Sequence, residues 1–362
     1  MKSLLTIAIV IASSTAFATR SRLNALGSAA HLVDQATIYS FPSNINTVSD
    51  SLTLETGATT TSTADANAEG LLIKSFGNAK LGLSLGHKDA NILAIRTNGA
   101  SAVSATATTA MQQNPLELTY GTKMGDMSVA GTLVYSNYND KKNSVKENVV
   151  SLRAGAATAV WVASVDLGLV NKWEDTSTNN DEIKGKTNII VNGGYNVSPE
   201  LYAFGVVEMK GYTAKNAGAD ARDVSETNIE VGAVDSMKKD GNEFFYGASL
   251  RSESSKDAKQ SDKKVTALKV PVVIGFEADA ASWLTLRASV KQTVLVNDSK
   301  EENSTTTSSE FSPGANNTTF AAGAGLKFNK VSVDGTILAG GSQNLNMGSN
   351  NLLGQVGLTY AF

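Results

Sequence analysis

Apolar and polar residues alternate with a period of two in many segments of this chain, each about ten residues long. Residues 282–295 have an apolar set and a polar set at alternate positions: Leu284, Leu286, Ala288, Val290 and Val294 against Thr285, Arg287, Ser289 and Lys291. Successive side chains of a β-strand lie on opposite faces, so each such segment predicts a strand with one apolar face. The sequence therefore predicts an all-β fold.

The connections between these segments alternate in length. Short turns such as 78–79 and 197–199 follow the even-numbered segments, whereas the connections after odd-numbered segments are mostly longer and polar. An antiparallel up-and-down β-barrel has this arrangement, because its turns lie at one end and its loops at the other. About 16 segments lie between residue 52 and the C-terminus, and about 14 to 18 strands would fit the pattern. A soluble sandwich or propeller would not require it.

The polarity of the two faces distinguishes a transmembrane barrel from a soluble one. A small soluble barrel fills its interior with apolar side chains, but the apolar faces of about 16 strands exceed what one interior holds. We therefore expect the apolar faces to contact lipid and the polar faces to line the lumen. Charged residues are only 18% of the chain, below the roughly 25% of soluble proteins, as a lipid-facing surface requires.

The composition argues against metal, cofactor and nucleic-acid binding. The chain has no cysteine and two histidines, His31 and His87, which are too few for a zinc or iron–sulfur site. A net charge of −3 gives no basic surface for nucleic acid. Nucleophile-elbow, P-loop, dinucleotide and paired-histidine motifs are absent from the sequence, and we expect both histidines at a surface or interface. The sequence predicts neither an enzyme nor a cofactor.

Residues 1–18 have the three parts of a secretory signal peptide. Lys2 is followed by the apolar residues 4–12 and by a cleavage site formed by Ala16 and Ala18. The apolar stretch is too short for a membrane-spanning helix, which needs about 20 residues. We expect export with cleavage before Thr19, and the absence of cysteine fits an oxidising compartment.

The C-terminal residues 355–362 form a predicted strand that ends in an aromatic residue. Gln355, Gly357, Tyr360 and Phe362 occupy the four positions of a polar-x-Gly-x-x-aromatic-x-aromatic pattern. In this the chain resembles the Gram-negative outer-membrane β-barrel proteins, whose last strand carries that pattern as an assembly signal. The resemblance implies location in the cell outer membrane, contact with its lipid and lipopolysaccharide, and recognition by the barrel-insertion machinery.

Across most of residues 51–362 the pattern resembles that of sixteen-stranded diffusion porins. The resemblance implies a channel for ions and small hydrophilic solutes, and a candidate homotrimer in which Gly323, Gly325 and Gly335 would contribute an outer patch of small residues. Porins narrow their pore with a long third loop bearing an acidic motif, but residues 139–143 are few and lack it. Residues 88–114 could instead fold into the lumen as a constriction, or lie on the surface. Residues 296–314 are expected to be a solvated external loop.

Two tryptophans predict the height of the apolar band. Trp161 and Trp173 fall on one face of segment 159–173, and a tilted strand would place them about 28 Å apart along the membrane normal. That separation matches an apolar band of roughly 25 Å with an aromatic girdle at each edge, to which we also assign Tyr360. Alternatively, both tryptophans could pack in a core.

Ionisable residues on the polar faces are the predicted pore-lining residues. They are Asp166, Glu208, Glu226, Glu230, Arg251, Lys269, Arg287, Lys291 and Lys327, with the acids on earlier strands than the bases. This sorting could create a field across the pore, or the charges could pair with one another. The sequence leaves both alternatives open.

Residues 19–50 do not alternate and precede the predicted barrel. They contain a candidate helix at 23–33, then Asp34 and a break at Phe41-Pro42-Ser43. The segment resembles the N-terminal plug of FadL-like transporter barrels for hydrophobic compounds; a periplasmic tail or an additional first strand is the alternative. The leading predicted function is a porin-like channel for passive diffusion of small hydrophilic solutes. A plugged transporter for hydrophobic compounds and a structural or surface-contact protein are the other two.

Overall fold

The computed structural model describes residues 19–57, 67–103, 110–177, 180–259, 263–302, 307–311, 318–340 and 354–362. The predicted signal peptide at residues 1–18 lies outside these ranges. The strands of the described residues belong to one antiparallel sheet, and their bounds are β1 (Ser51–Gly57), β2 (Asn67–Phe76), β3 (Ala79–Leu85), β4 (Leu116–Met124), β5 (Met127–Asp140), β6 (Val145–Ala157), β7 (Trp161–Asp175), β8 (Asp181–Gly185), β9 (Asn188–Asn196), β10 (Leu201–Asn216), β11 (Ala219–Lys239), β12 (Asn242–Asp257), β13 (Lys263–Ala281), β14 (Leu284–Glu302), β15 (Thr307–Phe311), β16 (Thr319–Phe328), β17 (Val331–Gly340) and β18 (Gln355–Ala361).

The sheet closes into a barrel because β1 pairs with β2 on one side and with β18 on the other. Strands β8 and β9 share one position in the wall, since each pairs with both β7 and β10. Among the described residues β15 pairs only with β14, so the barrel has 16 wall strands and one extra strand. The prediction of an all-β, antiparallel up-and-down barrel of about 16 strands is confirmed.

The described helices are short: α1 (Arg20–Ala25), two 3-10 helices (Ala36–Tyr39 and Pro42–Asn46) and α2 (Ala90–Ala100). The helix predicted at 23–33 is wrong, because α1 begins earlier and ends at Ala25. Gly27 and Ser28 follow with left-handed φ angles of 64° and 53°, and an α-helix ends where the backbone turns left-handed. Within the described ranges, every helix falls short of the length and apolar character needed to cross a membrane.

The two ends of the barrel differ in their connections. At one end most neighbouring strands are joined by tight turns, in which Gly77, Gly125 and Gly241 have φ angles of 60°, 62° and 80°; glycine adopts these angles without steric cost. The other end carries the longer connections, including residues 86–115 with α2. Short connections also occur at the loop end: residues 141–144 join β5 to β6, and Ala217 and Gly218 join β10 to β11, which are 16 and 21 residues long.

The outer and inner faces of the strands have opposite polarity. On β3 and β4 the large apolar side chains at alternate positions are exposed on the outside: Leu81, Leu83, Leu85, Leu116, Leu118 and Tyr120. The intervening positions point to the interior and hold buried polar residues, among them Ser84, Glu117 and Thr119. The strands thus carry the apolar-out, polar-in alternation of a transmembrane barrel.

A β-bulge in β7 reverses the alternation from which the tryptophan girdle was predicted. Pairing with β6 skips one residue, so that Leu169 and Val170 both point outward. One extra residue moves every later side chain to the opposite face. Trp173 is consequently 0% exposed inside the barrel, whereas Trp161 is 37% exposed on the outside. The assignment of Trp173 to an outer girdle is wrong.

Two of the three glycines expected in an outer trimer patch point inward. A Cβ at Gly323 would lie 2.6 Å from Ala25, and a Cβ at Gly325 would lie 2.7 Å from Arg287. Only Gly335 of the three has no described atom within 4 Å of that position. The expectation of an outer patch is therefore wrong for Gly323 and Gly325, because their face of β16 packs against the contents of the lumen.

Candidate functional site in the lumen

The N-terminal segment, residues 19–50, lies inside the barrel. Helix α1 contacts β14, β16, β17 and β18, whereas the second 3-10 helix contacts β3, β4, β5 and β6. Between these two anchor points, Gln35 accepts a hydrogen bond from Thr53 and donates one to Ser51 on β1. The segment therefore covers the inner wall from β14 through β1 to β6, and its residues Leu26, Ala29 and Leu32 also pack against Val234 and Phe245 near the turn end of β11 and β12.

Glycines on the inner wall make room for this segment. A Cβ at Gly357 would lie 2.5 Å from Thr19, and a Cβ at Gly121 would overlap Ile45. At Gly155 it would lie 3.2 Å from Pro42. The three glycines stand on β18, β4 and β6, so backbone and segment approach closely on several strands.

Arg22 is the main polar anchor of α1. Its Nε and Nη2 donate to the two carboxylate oxygens of Glu277 on β13 at 2.8 and 3.0 Å, a bidentate geometry that is among the strongest of protein hydrogen bonds. Its Nη1 lies 3.6 Å from Asp34. Burial raises the pKa of Asp34 to about 7, although the charge of Arg22 opposes the rise.

A second set of polar contacts ties the segment to the strands where the barrel closes. Arg20 donates its backbone N–H to Glu55 at 2.5 Å and its Nη2 to Glu69 at 3.0 Å. The Asn24 amide donates to Gln355 at 2.6 Å. These contacts involve β1, β2 and β18, so the segment bridges the first and last strands.

Arg287, predicted to line the pore, belongs instead to the interface beneath this segment. Its guanidinium donates to Glu277 and to Asp334, each at 2.5 Å, and the residue is 4% exposed. Thr19 also donates to Asp334, at 3.3 Å. Arg287 therefore does not face a water-filled passage, and its assignment as a pore-lining residue is wrong. The N-terminal segment covers it, and strand alternation alone cannot reveal that cover.

Arg153 on β6 is the centre of a second buried network, which the sequence did not single out. Its guanidinium lies 2.6 Å from Glu117, 3.0 Å from Asp166 and in contact with Asp89. His87 Nδ1 lies 2.5 Å from the other oxygen of Glu117. Asp166 is thus an inward residue as predicted, but it is paired and partly covered. Charged residues at inward positions of β4 and β6 were the available signal for Glu117 and Arg153.

This network joins the N-terminal segment to the long connection after β3. Asp89 caps α2 by accepting from the N–H groups of Asn91 and Ile92 at 2.8 and 3.1 Å. The ring of His87 stacks on that of Tyr39, with centroids 3.6 Å apart. One hydrogen-bonded and stacked unit therefore spans α2, the barrel wall and the N-terminal segment.

Helix α2 lies in the lumen near the loop end. Ile95, Ala100 and Val103 belong to a buried apolar cluster whose members on the wall are Val145, Trp173, Ile183, Tyr212, Ala214 and Val224. Arg96 in α2 donates to Asn171 at 2.5 Å. Of the two alternatives for residues 88–114, the described part shows the inward fold, against strands β6 to β11.

The inner face of β10 to β13, here called the open wall because among the described residues the N-terminal segment packs only against its turn end, carries a ladder of paired charges nearer the loop end. Lys210 donates to Glu208 at 3.2 Å, and Lys269 donates to Glu253 at 2.7 Å. Arg251 lies 2.8 Å from Glu253 and 3.6 Å from Glu230. The side chains of these pairs keep exposed fractions from 11% to 35%. Acids and bases are therefore neighbours here, which favours pairing over separate charged walls.

A cavity of about 330 Å³ lies between the N-terminal segment and the open wall. Its apolar lining comes from both sides and includes Leu23, Leu32, Phe41, Tyr202, Phe204, Val206, Val234, Pro271 and Val273. Glu230 and Lys291 of the predicted pore-lining set also line it. Glu226 lies on the open wall beside Glu208 and Lys210. Lys327 lies at the turn end, 3.5 Å from Asp279.

The side chains of both histidines are buried inside the barrel, so of the two expected positions the surface one is wrong and the interfacial one applies. His31 Nε2 lies 3.0 Å from Glu243, and its ring lies 4.9 Å from that of Phe245. His87 is held between Tyr39 and Glu117. Both act as packing and hydrogen-bonding partners where the lumen contents meet the wall.

The C-terminal pattern divides between the two faces of β18. Gln355 and Gly357 point inward, where they contact Asn24 and Thr19. Tyr360 and Phe362 are each 44% exposed on the outside, with ring centroids 6.1 Å apart. The two inward positions thus also accommodate the N-terminal segment.

Comparison with solved structures finds other outer-membrane barrels. OmpT of Vibrio cholerae is 11% identical over 86% of this chain and 95% of its own, with a TM-score of 0.39. The outer membrane channel DcaP of Acinetobacter baumannii is 13% identical over 70% of this chain and 86% of its own, with a TM-score of 0.37. The alcaligin outer membrane receptor FauA of Bordetella pertussis is 12% identical over 62% of this chain, which spans 41% of FauA, with a TM-score of 0.40. No protein-family model and no curated protein sequence matches the chain.

The closed barrel and the polarity of its wall define the class of protein. All backbone groups of a closed barrel can pair within the sheet, and the outer face presents apolar side chains such as Leu81, Leu118 and Leu358. These are the properties that allow strands to span a lipid bilayer. The described strands therefore form a transmembrane β-barrel, the fold of bacterial outer-membrane proteins.

Proposed function

We propose that this protein is a channel of restricted width through which small hydrophilic solutes diffuse across the outer membrane. The observation that carries the proposal is the distribution of material in the lumen. Residues 19–50 cover the wall from β14 to β6 and the turn end of the open wall, whereas the charged side chains nearer the loop end of the open wall keep part of their surface exposed, up to 35% for Arg251.

In this proposal the passage follows the open wall. Solutes would be limited in size by the N-terminal segment on one side and by α2 near the loop end. Paired charges such as Lys269 with Glu253 supply hydrogen-bonding groups at several heights without a large net charge. A passage of this kind conducts in both directions and selects by size and by local contacts.

Planar-bilayer recording of the purified full-length protein tests this function. We expect stable ohmic steps that are small for a sixteen-stranded barrel, together with swelling of proteoliposomes in small sugars or amino acids but not in larger oligosaccharides. Replacing Arg251 by Gln should change the cation-to-anion permeability ratio, because Arg251 is the most exposed cation of the ladder. Absence of any conductance above that of protein-free bilayers would contradict the proposal.

A plugged transporter for hydrophobic compounds is the second candidate function. It is favoured by the apolar lining of the cavity between Leu32 and Phe204. A transporter of this kind would not conduct ions in bilayers, and it would copurify with a detergent-like molecule in the lumen. If the protein shows neither conductance nor a copurified molecule, a structural or surface-contact role is favoured.

The remaining partners belong to the same proposal. The apolar outer face would contact outer-membrane lipid and lipopolysaccharide, and β18 with Tyr360 and Phe362 would be recognised by the barrel-insertion machinery. Residues 1–18 would direct export and be removed. A homotrimer is proposed from the resemblance to porins, and sedimentation of the detergent-solubilised protein measures it directly.

A further inference from the structure

The cavity between the N-terminal segment and the open wall has the volume of a small-molecule site. At about 330 Å³ it lies at the lower end of the roughly 300–1,000 Å³ typical of such sites. At about 30 Å³ for each water-sized group, it has room on the order of ten non-hydrogen atoms. An inorganic ion or acetate would fill only a fraction of that volume.

The lining favours a ligand with an apolar body. Leu23, Leu32 and Phe41 contribute from the N-terminal segment, and Tyr202 and Phe204 contribute from β10. Aromatic and aliphatic side chains therefore face each other across the space, so a purely hydrophilic solute would lose hydration there without replacement contacts. A flat aromatic ring or a compact aliphatic group fits both sides.

Two charged residues line the cavity, and only one of them has an ion-pair partner among the described residues. Glu230 accepts from Ser249 at 2.6 Å and has Arg251 at 3.6 Å. Lys291 is on β14, where it lies opposite Val273 of β13, and it is the one cation among the described lining residues. The part of the chain that the structure describes gives its ammonium no ion-pair partner. A ligand would therefore meet the carboxylate of Glu230, which already has partners, and the ammonium of Lys291, which has no ion-pair partner among the described residues.

We infer that this cavity binds small amphipathic monocarboxylates, with the apolar body between the N-terminal segment and β10 and the carboxylate on Lys291. The site is the interior of the proposed channel, so the assignment rests on that function and names one class of solute for it. The carboxylate is selected by a charge-assisted hydrogen bond from the Lys291 ammonium, a stronger contact than a hydrogen bond between neutral groups.

Calorimetric titration of the full-length protein in lipid nanodiscs tests the assignment without detergent in the lumen. The probes are 3-phenylpropionate, which has the size estimated above, and its neutral isostere 3-phenylpropanamide. We expect saturable binding of the acid to one site and binding of the amide weaker by roughly tenfold or more, the range expected for losing a hydrogen bond to a charged group. Equal binding of acid and amide, or no binding of either, would overturn the assignment.

Two variants and a control separate charge from shape. Lys291→Met should abolish the preference for the acid, and Val206→Phe should weaken both probes because it fills the cavity. Lys327→Met removes a cation that is paired with Asp279 outside the cavity, so it should leave both affinities unchanged. A preference for the acid that survives Lys291→Met would overturn the role of Lys291, provided that the variant has the wild-type circular dichroism spectrum.

Bilayer recording of the same samples distinguishes failure of this assignment from failure of the channel function. Conductance steps without probe binding would overturn the carboxylate site and leave the channel intact. Selective probe binding without conductance would overturn the channel and show that the cavity is a site in a closed barrel. Conductance that falls on addition of 3-phenylpropionate in wild type, but not in Lys291→Met, is the result we expect.

Discussion

Replacing Arg22 by Met should loosen the N-terminal segment without unfolding the barrel. The Arg22 side chain is 7% exposed, and it makes two hydrogen bonds to Glu277, at 2.8 and 3.0 Å. Removing one partner of a buried pair typically costs about 3–5 kcal/mol, because the other partner keeps an uncompensated charge. Here Glu277 retains Arg287 at 2.5 Å, so we place the cost at the lower limit, about 3 kcal/mol.

That cost corresponds to a loss of about 150-fold in the docking equilibrium of the segment. Hydrogen–deuterium exchange measures it directly, because local opening sets the exchange rate of protected amides. Peptides covering residues 19–34 should lose protection by about two orders of magnitude, while peptides from the loop-end halves of β10 to β13 stay unchanged.

Arg222→Met is the matched control. Arg222 also pairs with a carboxylate, Asp257, at 2.9 Å, but its side chain is 30% exposed, and exposed pairs contribute about 1 kcal/mol or less. Exchange of residues 19–34 should not change in this variant. Unchanged exchange in Arg22→Met, or an equal loss of protection over the whole barrel, would refute the role assigned to Arg22.

Three further predictions follow from the same packing. Arg153→Met should lower the free energy of unfolding by about 3–5 kcal/mol, because it leaves several buried carboxylates without their cation. Arg251→Met on the open wall should lower it by about 1 kcal/mol or less. Urea titration followed by tryptophan fluorescence measures both. Gly121→Ala should loosen residues 19–50 by about 1–3 kcal/mol through overpacking, whereas Gly131→Ala, with 3.7 Å of clearance, should leave their exchange unchanged. The pKa of Asp34 rises from 3.8 to about 7 when the segment is docked, so docking should weaken as pH rises between these values and stay constant above them. Asp34→Asn should remove this pH dependence of the exchange protection. Its persistence in the variant would contradict the assignment to Asp34.

The barrel could be predicted from sequence because its signal is local. Alternation within a strand and the length of each connection involve neighbouring residues only, so the 16 wall strands follow from a pattern that each segment carries by itself. The inward fold of residues 19–50 depends on contacts with distant strands, as between Arg22 and Glu277. Neither composition nor strand alternation indicates which distant residues meet, so the sequence left a plug, a periplasmic tail and an additional first strand as alternatives.

The errors about individual residues have the same physical origin. Trp173 was placed outside because strict alternation was carried through a bulge, and one inserted residue reverses every later position. Arg287 was placed on the pore surface because alternation gives the face of a strand but not what covers it. Arg153 stood at an inward position and was not selected, although a charge facing the lumen is a signal that the strand pattern contains.

The claim that residues 19–50 fill one side of the lumen and leave the charged part of the opposite wall open is tested most directly by thiol modification. The chain has no cysteine, so Glu226→Cys on the open wall and Thr336→Cys beneath α1 each introduce one reactive group. Thr336 is 1% exposed and donates to the carbonyl of Ser21. A charged methanethiosulfonate should modify Cys at 226 at least about 100-fold faster than at 336, the protection that docking of about 3 kcal/mol provides, and it should lower the conductance only at 226. Equal modification rates at the two positions would contradict the account.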